Sequence, residues 1–258
     1  MPSFKPTRDY LLKLTEELID SHAISGRFLE IGCGDGAISK TLSRRGWHGI
    51  AMDMSDESEH FVMQQLEQES LQDSVTFQKA DFFDYSPNEK FNVIFLYDVL
   101  EHVKEDILFL NKVRSSLLDD GYLFLSVPVK MKEWRWDDEN YGHIQRYEYH
   151  KLQEMLDTPS TGFKMLEQWD ITFPALWLMR RVYLFMVPPP ANLENTPIET
   201  RTEKSAFAND GNKSLMIRIA ESLPVWGLAF WLQDKFRNRR LGCNTLILAQ
   251  AVRFQKEQ

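Results

Sequence analysis

Apolar residues recur along this chain in two alternating rhythms. Leu11, Leu12, Leu14, Leu18 and Ile19 fall near helical spacing and predict a helix over residues 6–21. Short apolar runs then predict strands at 27–31, 49–52, 75–79, 91–97 and 122–127, the last stopped by Pro128. The stretches between them predict helices at 37–45, 57–69 and 103–118. Apolar strands alternating with helices imply an α/β fold, a parallel sheet with helices on both faces. Right-handed crossovers make such a sheet doubly wound.

After Pro128 the rhythm breaks. Residues 131–149 are aromatic and charged, with Trp134, Trp136, Tyr141, Tyr147 and Tyr149. They follow the fifth strand, and ligands of such sheets bind outside the strand C-terminal ends. Residues 129–150 are therefore expected to form a lid over the site. A helix at 149–156 and a strand at 163–173 follow. Residues 174–241 read as a helical insertion: an apolar stretch to Val187, three prolines, a polar run near 192–213 expected to be mobile, and an amphipathic stretch at 223–236. A final antiparallel strand at 243–252 completes what reads as a single domain over 1–258, with no internal repeat.

The formal net charge is -8, which disfavours nucleic acid as a partner because that needs a basic face. A local basic patch remains at residues 235–240. The cysteines, Cys33 and Cys243, lie at neither metal-ligand nor disulfide-framework spacing. Residues 1–10 hold no apolar run, so no secretory signal is expected. No stretch reaches the roughly 20 apolar residues that span a bilayer, and Arg180-Arg181 interrupts the nearest, 171–187. A soluble, cytoplasmic protein is expected. Four of the seven tryptophans (Trp169, Trp177, Trp226 and Trp231) fall in or beside the insertion. They fit a lipid-like acceptor, peripheral membrane contact through 174–236, or burial against the core or a second subunit of a homodimer.

The chemistry concentrates after the first strand. Gly32, Gly34 and Gly36 let backbone approach a ligand, and the next helix presents free N–H groups. Asp53 ends the second strand, where an acid accepts ribose hydroxyls. That spacing suits NAD as well as other nucleosides. Glu30 lies two residues before the first glycine, where a carboxylate favours a cationic ligand over a pyrophosphate. The glycines read G-x-G-x-G rather than G-x-G-x-x-G, and Ala80-Asp81-Phe82 follows the third strand, where an acid and a ring suit adenine.

On these residues, on 91–103 (Phe91 through Asp98, Glu101 and His102 to Val103), on 121–128 and on 142–147, the chain resembles class I methyltransferases that use S-adenosylmethionine (SAM). The nearest subgroup is the small-molecule and lipid-precursor enzymes, including the O-methyltransferases of ubiquinone biosynthesis. The resemblance runs from about residue 19 to 173 plus the last strand, and leaves out 174–241. It implies a Rossmann-like sheet with Glu30, Gly32, Cys33 and Gly34 along the methionine part of SAM. Asp53 would hold the ribose, Met54 would pack on adenine, Asp81 and Phe82 would contact adenine, and the Tyr97 carbonyl would meet the ammonium. Asn92 stands where many relatives carry Asp.

Asp98, Glu101 and His102, at i, i+3 and i+4, fit one helical face. Some relatives hold a divalent cation there; the favoured reading has Glu101 and His102 cap the helix and no metal bound. Cys33 reads as a small filler. His143 and Arg146 are the candidate catalytic residues in the lid, His143 as proton acceptor. Equally, both fix the lid against the acids at 137–139. The expected function is in-line transfer of a methyl group, O-methyl favoured, to a small, apolar acceptor. The competing expectations are a non-catalytic SAM-binding or scaffold subunit and an NAD-dependent oxidoreductase.

Overall fold

The computed structural model describes residues 5–191, 193, 196–205 and 225–252. Its sheet comprises β1 (Phe28–Ile31), β2 (Gly49–Asp53), β3 (Val75–Lys79), β4 (Phe91–Tyr97), β5 (Leu117–Pro128), β6 (Phe163–Asp170) and β7 (Asn244–Ala251). They lie in the order β3-β2-β1-β4-β5-β7-β6. The first five are mutually parallel, and β7 runs antiparallel to both β5 and β6. The predicted doubly wound, mostly parallel sheet with an antiparallel last strand is the observed one.

Alternation along the central strands divides the core. Leu29, Ile31, Ile94, Leu96, Leu123 and Leu125 bury into one face. Phe28, Val93, Phe95 and Phe124 bury into the other. Strands covered on both sides read as continuous apolar runs, which is why β4 was legible from FNVIFLY alone. The second face carries α1 (Pro6–Ser21), α2 (Ala37–Arg44) and α3 (Asp56–Gln68); the first carries α4 (Asp106–Ser116) and α6 (Tyr149–Leu156). Between them in sequence lies the short α5 (Trp136–Tyr141).

The chain winds outward from β1 to β3, then returns to lay β4 against β1. Strand order reverses there, with Ile31 opposite Leu96. The C-terminal ends of β1 and β4 flank the crevice in which such sheets bind ligands.

Some boundaries differ from the sequence reading, each for a local reason. The helix expected from residue 103 starts at Asp106. A 3-10 turn, Leu100–His102, precedes it, and Val103 is extended. β5 begins at Leu117, five residues early, across a register shift opposite Phe91 and Val93. β6 ends at Asp170, whose carboxylate accepts the Thr172 and Phe173 amides at 2.9 and 3.0 Å and turns the chain.

The insertion holds α7 (Ala175–Met186), α8 (Ile198–Ser205) and α9 (Trp226–Phe236). The run expected to be mobile near 192–213 is thus helical over 198–205, while 192, 194, 195 and 206–213 lie outside the described residues. Gln233 of α9 is fully buried; it accepts the Leu176 amide and donates to the Ile171 carbonyl, both at 3.2 Å. Phe230 meets Tyr10 of α1, ring centroids 5.0 Å apart. Among the described residues, no helix is long and apolar enough to cross a membrane.

Candidate functional site

The loop after β1 hangs from the end of β2. The amides of Gly32 and Cys33 both donate to the Met52 carbonyl, at 2.8 and 3.0 Å. Gly32 has φ +71°, and a Cβ there would sit 2.4 Å from Val99 Cγ2. Gly36 caps α2 in the left-handed region at φ 72°. The Gly34 amide donates to Asp53 Oδ2 at 2.9 Å, so loop and acid position each other. The start of α1 closes over the loop: Asp35 takes Lys5 Nζ at 3.2 Å and an Arg8 guanidinium nitrogen at 2.8 Å.

Glu30 is buried at the end of β1, where Oε2 accepts the Ser39 amide of α2 at 2.9 Å and the Ser39 hydroxyl. Burial outweighs these bonds and raises its carboxyl to about 8. A cation placed beside it would favour its ionised form. Cys33 is buried too, and burial pushes its thiol well up, so it stays the neutral filler expected of it.

The wall beyond the end of β2 is more open. Met54 is half exposed. Asp81 is exposed, with Oδ1 accepting the Phe83 amide at 2.8 Å. Phe82 is buried in the core, its ring 5.1 Å from Phe109. Tyr97 turns its hydroxyl towards Thr15, 2.7 Å away, and burial raises that hydroxyl well above the usual range.

The segment 129–150 is built around one buried carboxylate. Asp138 Oδ1 receives His143 Nδ1 at 2.9 Å and Arg146 Nε at 2.7 Å; Oδ2 receives the Arg135 amide at 2.9 Å and Arg180 at 3.1 Å. Burial alone would raise this acid, but His143 and Arg146 hold it down at about 2. Arg146 also donates to the Val129 and Cys243 carbonyls at 3.1 and 2.9 Å. Its bonds make it a brace of the lid. His143 shares Asp138 but keeps Nε2 turned to the cavity, 3.7 Å from Glu101 Oε1. The carboxylate on Nδ1 makes that nitrogen the donor and leaves Nε2 as acceptor.

Asp98, Glu101 and His102 do not share a helical face. Asp98 has φ +53° and accepts Ser126 and Asn244 at 3.0 and 3.1 Å. Glu101 caps nothing: it is fully buried, and neither oxygen has a hydrogen-bond partner among the described residues. Burial, with Asp98 adding to it, pushes its carboxyl well above the usual range. His102 donates from Nδ1 to the Gly142 carbonyl at 3.0 Å, and burial followed by His143 lowers it to about 4. Glu101, His102 and His143 offer ligand atoms within 4.8 Å of one another. That trio, rather than Asp98, Glu101 and His102, has the donors that could hold a divalent cation.

Many of these groups line one cavity of about 1260 Å³. Glu30, Gly32, Asp53, Met54 and Asp81 lie on its wall, as do Glu101, His102 and His143 of the turn and lid. The insertion supplies Leu176, Met179, Val182 and Met186 from α7 and Ile198 from α8. Sequence reasoning missed Ser39, the clasp of Lys5 and Arg8 on Asp35, and Arg180. Arg180 had a signal: an arginine inside an apolar helix needs buried acids, and it donates twice to Asp137 at 2.7 Å.

The chain matches the family described as "Methyltransferase domain" over residues 5–168. It is 29% identical over 106 residues to the ubiquinone biosynthesis O-methyltransferase of Actinobacillus pleuropneumoniae serotype 5b (strain L20), covering 39% of this chain and 44% of that protein. With the enzyme of the same name from Parvibaculum lavamentivorans it shares 28% over 130 residues, 48% of this chain and 51% of that one. The chain thus spans about half the length of these curated relatives. Among solved structures it resembles the N-methyltransferase NodS of Bradyrhizobium japonicum WM9, a complex with S-adenosyl-L-homocysteine, at TM-score 0.51 and 16% identity over 64% of this chain and 79% of that one. It resembles the [4+2]-cyclase SpnF at TM-score 0.58 and 16% identity, over 93% and 81%. Those proteins are named for different reactions, so the likeness is one of fold. The family match runs through the glycine loop, the switch point and residues 129–150, and the chain belongs to the methyltransferase-domain family.

Proposed function

We propose that this chain is one methyltransferase domain that moves a methyl group from SAM to a small, apolar acceptor, an oxygen nucleophile being favoured. The observation that carries the reading is the cavity. One end presents a buried carboxyl seeking a cation beside a glycine loop too tight for a Cβ; the other is walled by apolar α7. Its volume of about 1260 Å³ exceeds the roughly 300–1,000 Å³ of single-ligand pockets and suits two ligands together.

In this reading SAM supplies a methyl already activated by its sulfonium. Glu30 faces the ammonium, Asp53 takes the ribose hydroxyls, and Met54 and Asp81 border the adenine. The protein's task is alignment and water exclusion, which in well-oriented systems lowers a barrier by roughly 7–11 kcal/mol. The lid excludes water, and Asp138 holds His143 so that Nε2 receives the acceptor's proton. Arg146 acts through Asp138 as a positioning residue.

Calorimetry with SAM and with NAD, followed by mass spectrometry of cell extracts incubated with methyl-labelled SAM, tests the proposal. Saturable SAM binding and a labelled apolar product are expected. Binding of NAD alone, or S-adenosylhomocysteine that exchanges but never forms from SAM, would refute it.

A further inference from the structure

The insertion presents an outer surface that the site does not use. On α7, Leu178, Val182, Phe185 and Met186 recur at helical spacing and are exposed, Phe185 at 92%. Leu176 and Met179 of the same helix lie on the cavity wall, with Arg180 beside them. Large apolar side chains gathered on one exposed helix face mark an interaction surface. The neighbouring α9 repeats the pattern with Leu228 at 68% and Trp231 at 56% exposed, beside Leu232. Val182 and Met186 belong to both surfaces: each is exposed and also lines the cavity. The outer apolar stripe therefore runs into the mouth of the site.

Charge selects the occupant. The chain carries 38 acidic residues, yet α7 has none. Between Val225 and Val252 the one acid is Asp234, tied to Lys13 and Tyr10. Lys235, Arg239 and Arg240 are exposed there, and the Lys235 ammonium lies 5.5 Å from the centre of the Trp231 ring. Apolar side chains flanked by lysine and arginine are the chemistry of an anionic bilayer surface. A second copy of this chain would bring like charges together.

We infer that the outer faces of α7 and α9 dock this protein on anionic phospholipid, with the cavity mouth at the bilayer surface. The inference deepens the proposed function, resting on it only for the direction in which an apolar acceptor enters. No atom crosses the membrane plane: the apolar side chains sink into the headgroup boundary and the basic ones stay at lipid phosphates.

Density flotation with vesicles of phosphatidylcholine, with and without phosphatidylglycerol, tests it on the full chain. The protein is expected to float with the anionic vesicles at low salt and to leave them at high salt. Each of Lys235→Gln, Arg239→Gln and Arg240→Gln should lower the partition coefficient about fivefold. Phe185→Ser should lower it roughly 10- to 100-fold while SAM binding persists, since Phe185 lines no part of the cavity. Protein left at the bottom with anionic vesicles would overturn the inference. So would a sedimenting dimer that Phe185→Ser splits, or a fluorophore on Phe185→Cys already shielded from iodide without lipid. Flotation needs no turnover, so failed docking would leave methyl transfer standing, and failed transfer would leave docking standing.

Discussion

On the proposed reading, in which Glu30 faces the SAM ammonium, SAM binding is a proton-releasing event. In the free protein its carboxyl sits at about 8, so at pH 7 it is about nine-tenths protonated. A cationic ammonium beside it requires the carboxylate. Binding at pH 7 should therefore expel about nine-tenths of a proton, and each pH unit below 8 should weaken binding about tenfold, ~1.4 kcal/mol. The ligand's own amine titrates near the same pH, so the Glu30→Gln variant is the baseline. Calorimetry at pH 7 in two buffers of different ionisation enthalpy measures the proton count; the difference between wild type and variant belongs to Glu30. The sign for folding runs the other way. The unfolded chain gives up this proton near about pH 4.3, the folded one not until about 8. The ligand-free fold thus loses stability as pH climbs through that window, and Glu30→Gln should abolish the loss. Equal proton counts in wild type and variant, or affinity flat from pH 6 to 8 after subtraction, would refute the burial argument.

Further outcomes follow from the same geometry. Gly32→Ala meets the left-handed penalty of about 1–2 kcal/mol and, against Val99, an overpacking cost of about 1–3 kcal/mol. Val99→Ala should return the second part, so urea unfolding of the double variant should show coupling; additivity within about 0.5 kcal/mol would count against the contact. Asp138→Asn leaves Arg146 buried without its anion and should cost about 3–5 kcal/mol. Because Asp138 is held at about 2, below the unfolded value, its contribution is present above about pH 4 and lost as pH falls through 2. His143→Ala should lower turnover about 10²- to 10⁴-fold with SAM affinity unchanged; undiminished turnover removes its role as base. Glu101, buried with its proton, should tolerate Glu101→Gln within about 1 kcal/mol in chelator-treated buffer. A divalent cation that raises the wild-type melting temperature but not the variant's would show that the trio binds it.

Local sequence was a good guide wherever one strand or one turn decided the outcome. The apolar run of β4, the glycine loop and the acid ending β2 set the fold class and the switch-point loop, because each depends on neighbours a few residues away. It failed at 98–106, where helical spacing put three side chains on one face. The chain instead breaks with Asp98 in the left-handed region, held by Ser126 and Asn244 from strands distant in sequence. Nothing near Glu101 announces that His143, some forty residues on, completes its surroundings.

What the sequence by itself determined is the doubly wound sheet and the place of the glycine loop at its switch point, since period-2 and helical patterns and positive-φ glycines are local demands. Only the tertiary structure decided which acids are buried and which bases are spent. Arg146 is engaged by Asp138 and two backbone carbonyls, Glu30 is a buried acid with a raised pKa, and α7 gains one face on the cavity and another facing out. Those outcomes are set by desolvation and by partners brought together through the sheet, and neither quantity is written in any single stretch of chain.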